Sequence, residues 1–124
     1  MLSAALVATD RSLLGDIALL DSVSAWEMIA TSPRYDMSTY YSYVFGALHH
    51  HDLPDMVAAA VYTSSSRVLV AQPLDAHRRP LTADRAAQVY GLGRSANASR
   101  LSLETDQSAH ELTAALLAWL ARAQ

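Results

Sequence analysis

Arg67-Val68-Leu69-Val70-Ala71-Gln72 is the stretch that decides the fold. It is the clearest strand pattern in the chain, and Pro73 closes it. Two further short strands are predicted on either side of it along the chain, at Ile17 to Leu20 and at Arg100 to Leu103. Ile17 to Leu20 is a short apolar run between Gly15 and Asp21, which predicts a buried strand. Helical patterns fill the chain between these strands, and this alternation predicts a parallel sheet with right-handed crossovers.

The clearest helix start is Asp52-Leu53-Pro54-Asp55, because Asp accepts hydrogen bonds from free backbone N–H groups and Pro suits the first helical turn. This helix should run through Met56 to Val61. Five further helical segments are predicted at Leu2 to Ala8, Ser24 to Ala30, Met37 to Leu48, Thr82 to Tyr90 and Ala109 to Ala121. We expect Gly91 and Gly93 to end the helix that reaches Tyr90. The pattern predicts one α/β domain over residues 1–124, with about three parallel strands and flanking helices.

The composition excludes several classes of protein. The 124 residues are 52% apolar and 17% charged, which favours one compact soluble domain over a disordered chain. The net charge of -3 argues against a nucleic-acid partner, and the absence of Lys excludes Lys-based mechanisms. Without Cys there is no disulfide framework. No apolar stretch is long enough to cross a bilayer and the N-terminus lacks a basic leader, so we expect a cytoplasmic protein with no membrane partner.

Two longer segments carry a recognisable order of features. They are FGALHHHDLPDMVAAAVYTSSSRVLVAQPLDAHRRPL at residues 45–81 and SLETDQSAHELTAALLAWL at residues 102–120. In this order the chain resembles the C-terminal part of α/β-hydrolases of the acetyl xylan esterase and dienelactone hydrolase-like group. Those proteins show a DLPD-like helix start, a strand ending in an acid before a Pro-Leu pair, and a final strand followed by a loop histidine and a terminal helix. The resemblance implies that Asp75 and His110 are the acid and the histidine of a catalytic triad.

The nucleophile is where the chain departs from this group. The family's serine stands in a G-x-S-x-G elbow between a strand and a helix, and no such motif occurs in this sequence. Leu2 to Ala8 resembles the end of the helix that follows the elbow, so the resemblance implies that the first strands and the nucleophile are missing. We therefore expect a truncated α/β-hydrolase-like domain. An uncovered sheet edge aggregates unless it pairs, so the sheet or its helices should be completed in a homodimer or larger homo-oligomer.

Asp75 and His110 could together activate a water molecule, a reaction that does not require the serine. A carboxylate orients an imidazole and stabilises its cation, and the imidazole can take a proton from water as readily as from a serine. The alternative is a surviving hydrogen-bonded pair with no catalytic task. Ser22 and the Ser64-Ser65-Ser66 run are conceivable replacement nucleophiles, but none of them has an elbow signature.

His49-His50-His51-Asp52 is a candidate metal site. Imidazoles and carboxylates bind zinc and other divalent transition metals, and a metal with an open position generates hydroxide, which would replace the lost nucleophile. His49 and His51 share a side of an extended segment, so another ligand, such as His77 or a residue of a second chain, would be needed. The alternative is that the histidines end one helix and Asp52 caps the next. No organic cofactor is expected.

Arg78 and Arg79 are candidate substrate-binding residues, because guanidinium groups hold carboxylates and phosphates bidentately. The alternative is an exposed, solvated pair. Together the candidate residues predict a small hydrolase of activated carboxyl or phosphate esters that uses metal-bound or histidine-activated water. Two alternatives stay open: a catalytically silent α/β-hydrolase remnant that serves as an interaction module, and half of a split esterase completed by a separate chain.

Overall fold

A parallel sheet of three strands lies at the centre of the computed structural model, which describes residues 15–42, 44–63 and 66–122. The strands β1 (Ile17–Leu20), β2 (Val68–Ala71) and β3 (Leu101–Glu104) pair in the order β1-β2-β3. The middle strand β2 has all four residues buried. The parallel α/β architecture is thereby confirmed. The predicted helical segment at 2–8 and two of the candidate serines, at 64 and 65, lie outside the described residues.

Five α-helices lie within the described residues: α1 (Trp26–Ala30), α2 (Leu53–Thr63), α3 (Ala83–Val89), α4 (Gly91–Asn97) and α5 (Ala109–Ala121). The prediction of one helix over Met37 to Leu48 is wrong. That segment contains two short 3-10 helices, Met37–Ser42 and Ala47–His49. Gly46 stands before the second one with φ 78°, a left-handed conformation that interrupts a right-handed helix. None of the helices in the described ranges is long and apolar enough to cross a membrane.

The helix predicted to reach Tyr90 ends at Val89 with Tyr90 as its C-cap, directly before Gly91, as expected. The prediction that the two glycines stop helical structure is wrong. Gly91 instead begins α4, which packs closely on α2. A Cβ on Gly93 would stand 3.0 Å from the Leu101 side chain and 3.7 Å from Cα of Ala58. The glycine therefore serves the close approach of two helices, a tertiary requirement that local helix signals do not show.

Helices cover both faces of the sheet. On one face α2 and the chain around Tyr90 pack against β2 and β3, in a cluster of buried residues comprising Val57, Ala60, Val61, Val68, Val70, Tyr90 and Leu101. On the other face α5 covers β2 through Leu112 and Trp119, which pack on Leu69 and Ala71. A third cluster joins α1 to the start of α2 and to Ala76. The third cluster therefore ties α1 to the loop that follows β2.

None of the four residues of β1 is buried, so the prediction of a buried strand at Ile17 to Leu20 is wrong. The helix α5 packs on β2 and leaves the same face of the sheet open beside β1. Leu20 aligns with Ala71 and so shares that face, yet Leu20 is 39% exposed. Leu117 and Leu120 of α5 are 61% and 47% exposed. Within the described ranges no strand pairs with the outer edge of β1. An apolar edge strand of this kind is a ready surface for pairing with another chain.

Candidate functional site

The carboxyl ends of the three strands lie beside most of the candidate residues. α1 follows β1, the loop that contains Asp75 follows β2, and His110 follows β3 in the first turn of α5. The Gln72 side chain accepts a 3.1 Å hydrogen bond from the backbone N–H of Gln107. This bond ties the loop after β2 to the loop after β3. Parallel α/β sheets bind ligands at this edge, outside the carboxyl ends of the strands.

Asp75 organises its own loop. Its Oδ1 accepts hydrogen bonds from the backbone N–H groups of His77 at 2.8 Å and Arg79 at 2.9 Å. Its Oδ2 lies 2.9 Å from Nε and 2.8 Å from Nη2 of Arg79. Burial opposes ionisation of this carboxyl group, but the hydrogen bonds from Arg79 and His77 together outweigh it and hold the pKa of Asp75 below its ordinary value. Asp75 is therefore ionised at neutral pH, with both oxygens engaged.

His110 is exposed in the first turn of α5. Ser108 caps this helix in a reciprocal arrangement: its Oγ accepts from the Glu111 N–H at 3.4 Å, and the Glu111 carboxylate accepts from the Ser108 N–H at 2.7 Å. Among the residues that the structure describes, no hydrogen bond joins the His110 imidazole to Asp75, whose partners are Arg79 and His77. The two residues that the resemblance assigns to a triad are thus not bonded to each other: Asp75 lies in the loop after β2, and His110 lies in the first turn of α5.

Arg78 and Arg79 have different surroundings. Arg79 forms the ion pair with Asp75, although its side chain is 72% exposed. Arg78 is also exposed and has a left-handed backbone with φ 59°. The pKa of Asp36 is lowered by hydrogen bonds from Ser38 and, to a smaller extent, by the charge of Arg78. The two guanidinium groups therefore have separate acidic neighbours instead of one shared anion.

Asp52 has the capping role that the sequence offered as the alternative to metal binding. Its Oδ1 accepts 2.6 Å hydrogen bonds from the backbone N–H groups of Trp26 and Leu53. Its Oδ2 accepts from the N–H of Glu27 at 3.1 Å. Trp26 and Leu53 begin α1 and α2, so one carboxylate caps both helices. Both oxygens of Asp52 are engaged in this way.

The three consecutive histidines are all exposed. His49 ends a 3-10 helix, and the His51 ring lies near Trp26 with 6.0 Å between the ring centroids. Over residues 15–42, 44–63 and 66–122, no group of three His, Cys, Asp or Glu side chains is arranged to hold a metal ion. A site built on His49, His50 and His51 would need ligands from a second chain or from the rest of this one.

Sequence reasoning missed a cleft of about 320 Å³ beside Asp75. The end of α1 contributes Ser32, the Asp75 loop contributes His77, and α3 contributes Arg85. Ser32 Oγ lies 3.4 Å from Nε2 of His77. The sequence carries no signal for this cleft, because its residues come from three separate segments that only the folded chain brings together.

Comparisons of the chain with models of protein families, with curated proteins and with solved structures found no match. The sheet and its flanking helices agree with the α/β class.

Proposed function

We propose that this chain hydrolyses small activated esters at the carboxyl edge of its sheet, using water activated by His110. The observation that carries the proposal is the hydrogen bond from Gln107 N–H to Gln72, which tethers the Asp75 loop to the loop that leads into His110. The exposed His110 imidazole at the start of α5 and the exposed arginine-rich turn therefore follow loops that are hydrogen-bonded to each other. This combination supplies a base and a group that binds an anionic substrate.

His110 is the general base in this proposal. Its imidazole takes a proton from water, the water oxygen attacks the ester carbon or phosphorus, and the proton passes to the leaving alkoxide as the ester bond breaks. Asp75 is a positioning residue, since its oxygens hold the turn that presents Arg78 and Arg79. Where the ester is anionic, as p-nitrophenyl phosphate is, these arginines bind its charged group.

The test is hydrolysis of p-nitrophenyl acetate and p-nitrophenyl phosphate by the wild type and by His110→Ala. We expect the variant to lose activity by about 10²-fold or more, the usual contribution of a general base. Arg122→Ala, an exposed change at the other end of α5, is the matched control and should keep the full rate. Retention of the full rate by His110→Ala would reject the assignment.

Metal-bound water is a second form of the same proposal. The exposed imidazoles of His49, His50 and His51 would bind zinc or another divalent transition metal, with further ligands from a second chain because Asp52 is engaged. Elemental mass spectrometry of untagged protein, purified without added metal or chelator, tests it. About one metal ion per chain or per dimer supports this form. Protein that stays metal-free after incubation with zinc and dialysis rejects it.

An interaction module without activity is the second candidate function. The observation that favours it is that both oxygens of Asp75 accept hydrogen bonds from residues of the same loop. A carboxylate with a purely structural role would form such bonds. The exposed edge of β1 would then pair with a second copy, or with a separate chain that completes a split esterase. A stable dimer without ester hydrolysis would favour the module. Activity that appears only when a serine-bearing partner chain is added would favour the split enzyme.

A further inference from the structure

The cleft between the end of α1 and the start of α3 combines polar donors with apolar walls. Ser32, His77 and Arg85 supply the polar groups, and Met28 and Leu81 supply apolar surface. Pockets for small molecules are typically apolar with a few placed polar groups that orient the ligand. The composition of this lining therefore favours a ligand with one polar end and one hydrocarbon end.

The contact between Ser32 and His77 shows which of them carries the hydrogen. Ser32 Oγ donates its hydrogen to the backbone carbonyl of Arg34. A hydroxyl has only one hydrogen, so the hydrogen in the 3.4 Å contact with His77 comes from Nε2 of the imidazole. His77 is therefore a donor towards the cleft and does not activate Ser32 as a nucleophile. Because this contact is long, a carboxylate oxygen would accept the same N–H more favourably than the hydroxyl does.

Arg85 offers several further donors. Its Nη1 donates to Oε1 of Gln88, and its backbone N–H donates to Thr82 Oγ1 at 3.3 Å. A guanidinium carries five N–H donors, so most of them are without a protein acceptor in the described part of the chain. Gln88 and Thr82 hold the residue at the start of α3 while leaving its guanidinium able to bind an anion.

Nearby carboxylates do not oppose an anion in the cleft. Asp75 lines the cleft, but the Arg79 guanidinium compensates its charge. Asp84 precedes Arg85 on α3, and its side chain is not part of the lining. Arg78 lies outside the lining and has Asp36 as its acidic neighbour, so the charge that remains on the cleft wall is that of Arg85. This balance favours an anionic ligand.

We propose that this cleft binds a small organic carboxylate. Arg85 and His77 hold the carboxylate group, and Met28 and Leu81 cover the hydrocarbon part, which inorganic phosphate lacks. The proposal goes beyond ester hydrolysis, since binding requires neither His110 nor turnover. The acid released by an ester is one ligand of this class, so the site would also serve product binding if the hydrolase proposal holds.

The test is calorimetric titration of the full chain with benzoate, acetate and inorganic phosphate. We expect benzoate to bind with a millimolar or lower Kd and more tightly than acetate or phosphate. Arg85→Gln should weaken benzoate binding about tenfold, the usual effect of losing a charged hydrogen-bond donor, and His77→Phe should weaken it as well. Arg94→Gln, an exposed change on α4 outside the cleft, should leave the Kd unchanged.

Absence of saturable benzoate binding, or an unchanged Kd in Arg85→Gln, would overturn the proposal. Tighter binding of phosphate than of benzoate would overturn the organic carboxylate as the ligand class. Circular dichroism of each variant establishes that it folds. If the chain hydrolyses esters and needs His110 to do so, but does not bind benzoate, only the proposal of the carboxylate site is overturned. Benzoate binding without any hydrolysis supports this site while overturning the hydrolase proposal.

Discussion

The Asp52 carboxylate accepts a 2.6 Å hydrogen bond from the backbone N–H of Trp26, 26 positions earlier in the chain. The same carboxylate accepts from the N–H groups of Glu27 and Leu53. One acid therefore satisfies N–H groups at the starts of α1 and α2, which would otherwise have no acceptor within their helices. The bonds hold α1 against the start of α2, where Trp26 and Met56 share a buried cluster.

Removing the shared cap should destabilise the fold. We expect Asp52→Ala to lower the free energy of unfolding by about 2 kcal/mol, because caps of two helices are lost together. Urea unfolding followed by tryptophan fluorescence measures the change. Asp84→Ala, an exposed acid in the first turn of α3, is the control and should cost less than about 1 kcal/mol. Equal losses in the two variants would show that Asp52 has no special capping role.

The Asp75–Arg79 ion pair should contribute to stability in a defined pH range. Because the pKa of Asp75 is lowered in the folded state, its contribution is present above the ordinary value of 3.8 and is lost as the pH falls through the lower folded value. Arg79→Gln removes the ion pair, so the difference in unfolding free energy between wild type and variant should shrink as the pH falls below 3.8. Urea unfolding at a series of acidic pH values measures it. A difference that stays constant with pH would contradict the assignment.

Tyr90 should make the fold sensitive to alkali. Burial raises the pKa of Tyr90 to about 12, with a smaller contribution from the charge of Asp52, and a hydrogen bond with Ser24 acts in the opposite direction. The raised value means that the contribution is complete below the ordinary value of 10.0 and is lost as the pH rises from there through about 12. Tyr90→Phe should therefore lose less stability than wild type over this interval. Parallel stability curves for the two proteins would refute the prediction.

The exposed edge of β1 should mediate self-association. We expect the wild type to sediment as a dimer at micromolar concentration, and Leu20→Arg to sediment as a monomer, because a charge on an apolar edge opposes strand pairing. Leu92 on α4 is 63% exposed, away from this edge, and Leu92→Arg is the control that should remain dimeric. A monomeric wild type, or equal dissociation of both variants, would remove β1 as the interface.

The sequence predicted the positions of the strands more accurately than those of the helices between them. The three predicted strands occur within one residue of their expected ends, because short apolar runs between turn residues are local signals. The single helix predicted from Met37 is interrupted at Gly46, because the backbone of this residue has a left-handed conformation in the folded loop. The helix from Gly91 to Asn97 was missed because its stability comes from packing on α2 and not from its own residues.

The sequence by itself determined the strand at Val68 to Ala71, its end before Pro73 and the capping role available to Asp52, because these features depend on neighbouring residues. Only the tertiary structure decided that Asp52 also caps α1, that Gln72 meets Gln107, and that Ser32 contacts His77. Those contacts join residues 26 to 45 positions apart. Parallel crossovers bring such segments together at the carboxyl edge, and no local pattern encodes which side chains meet there.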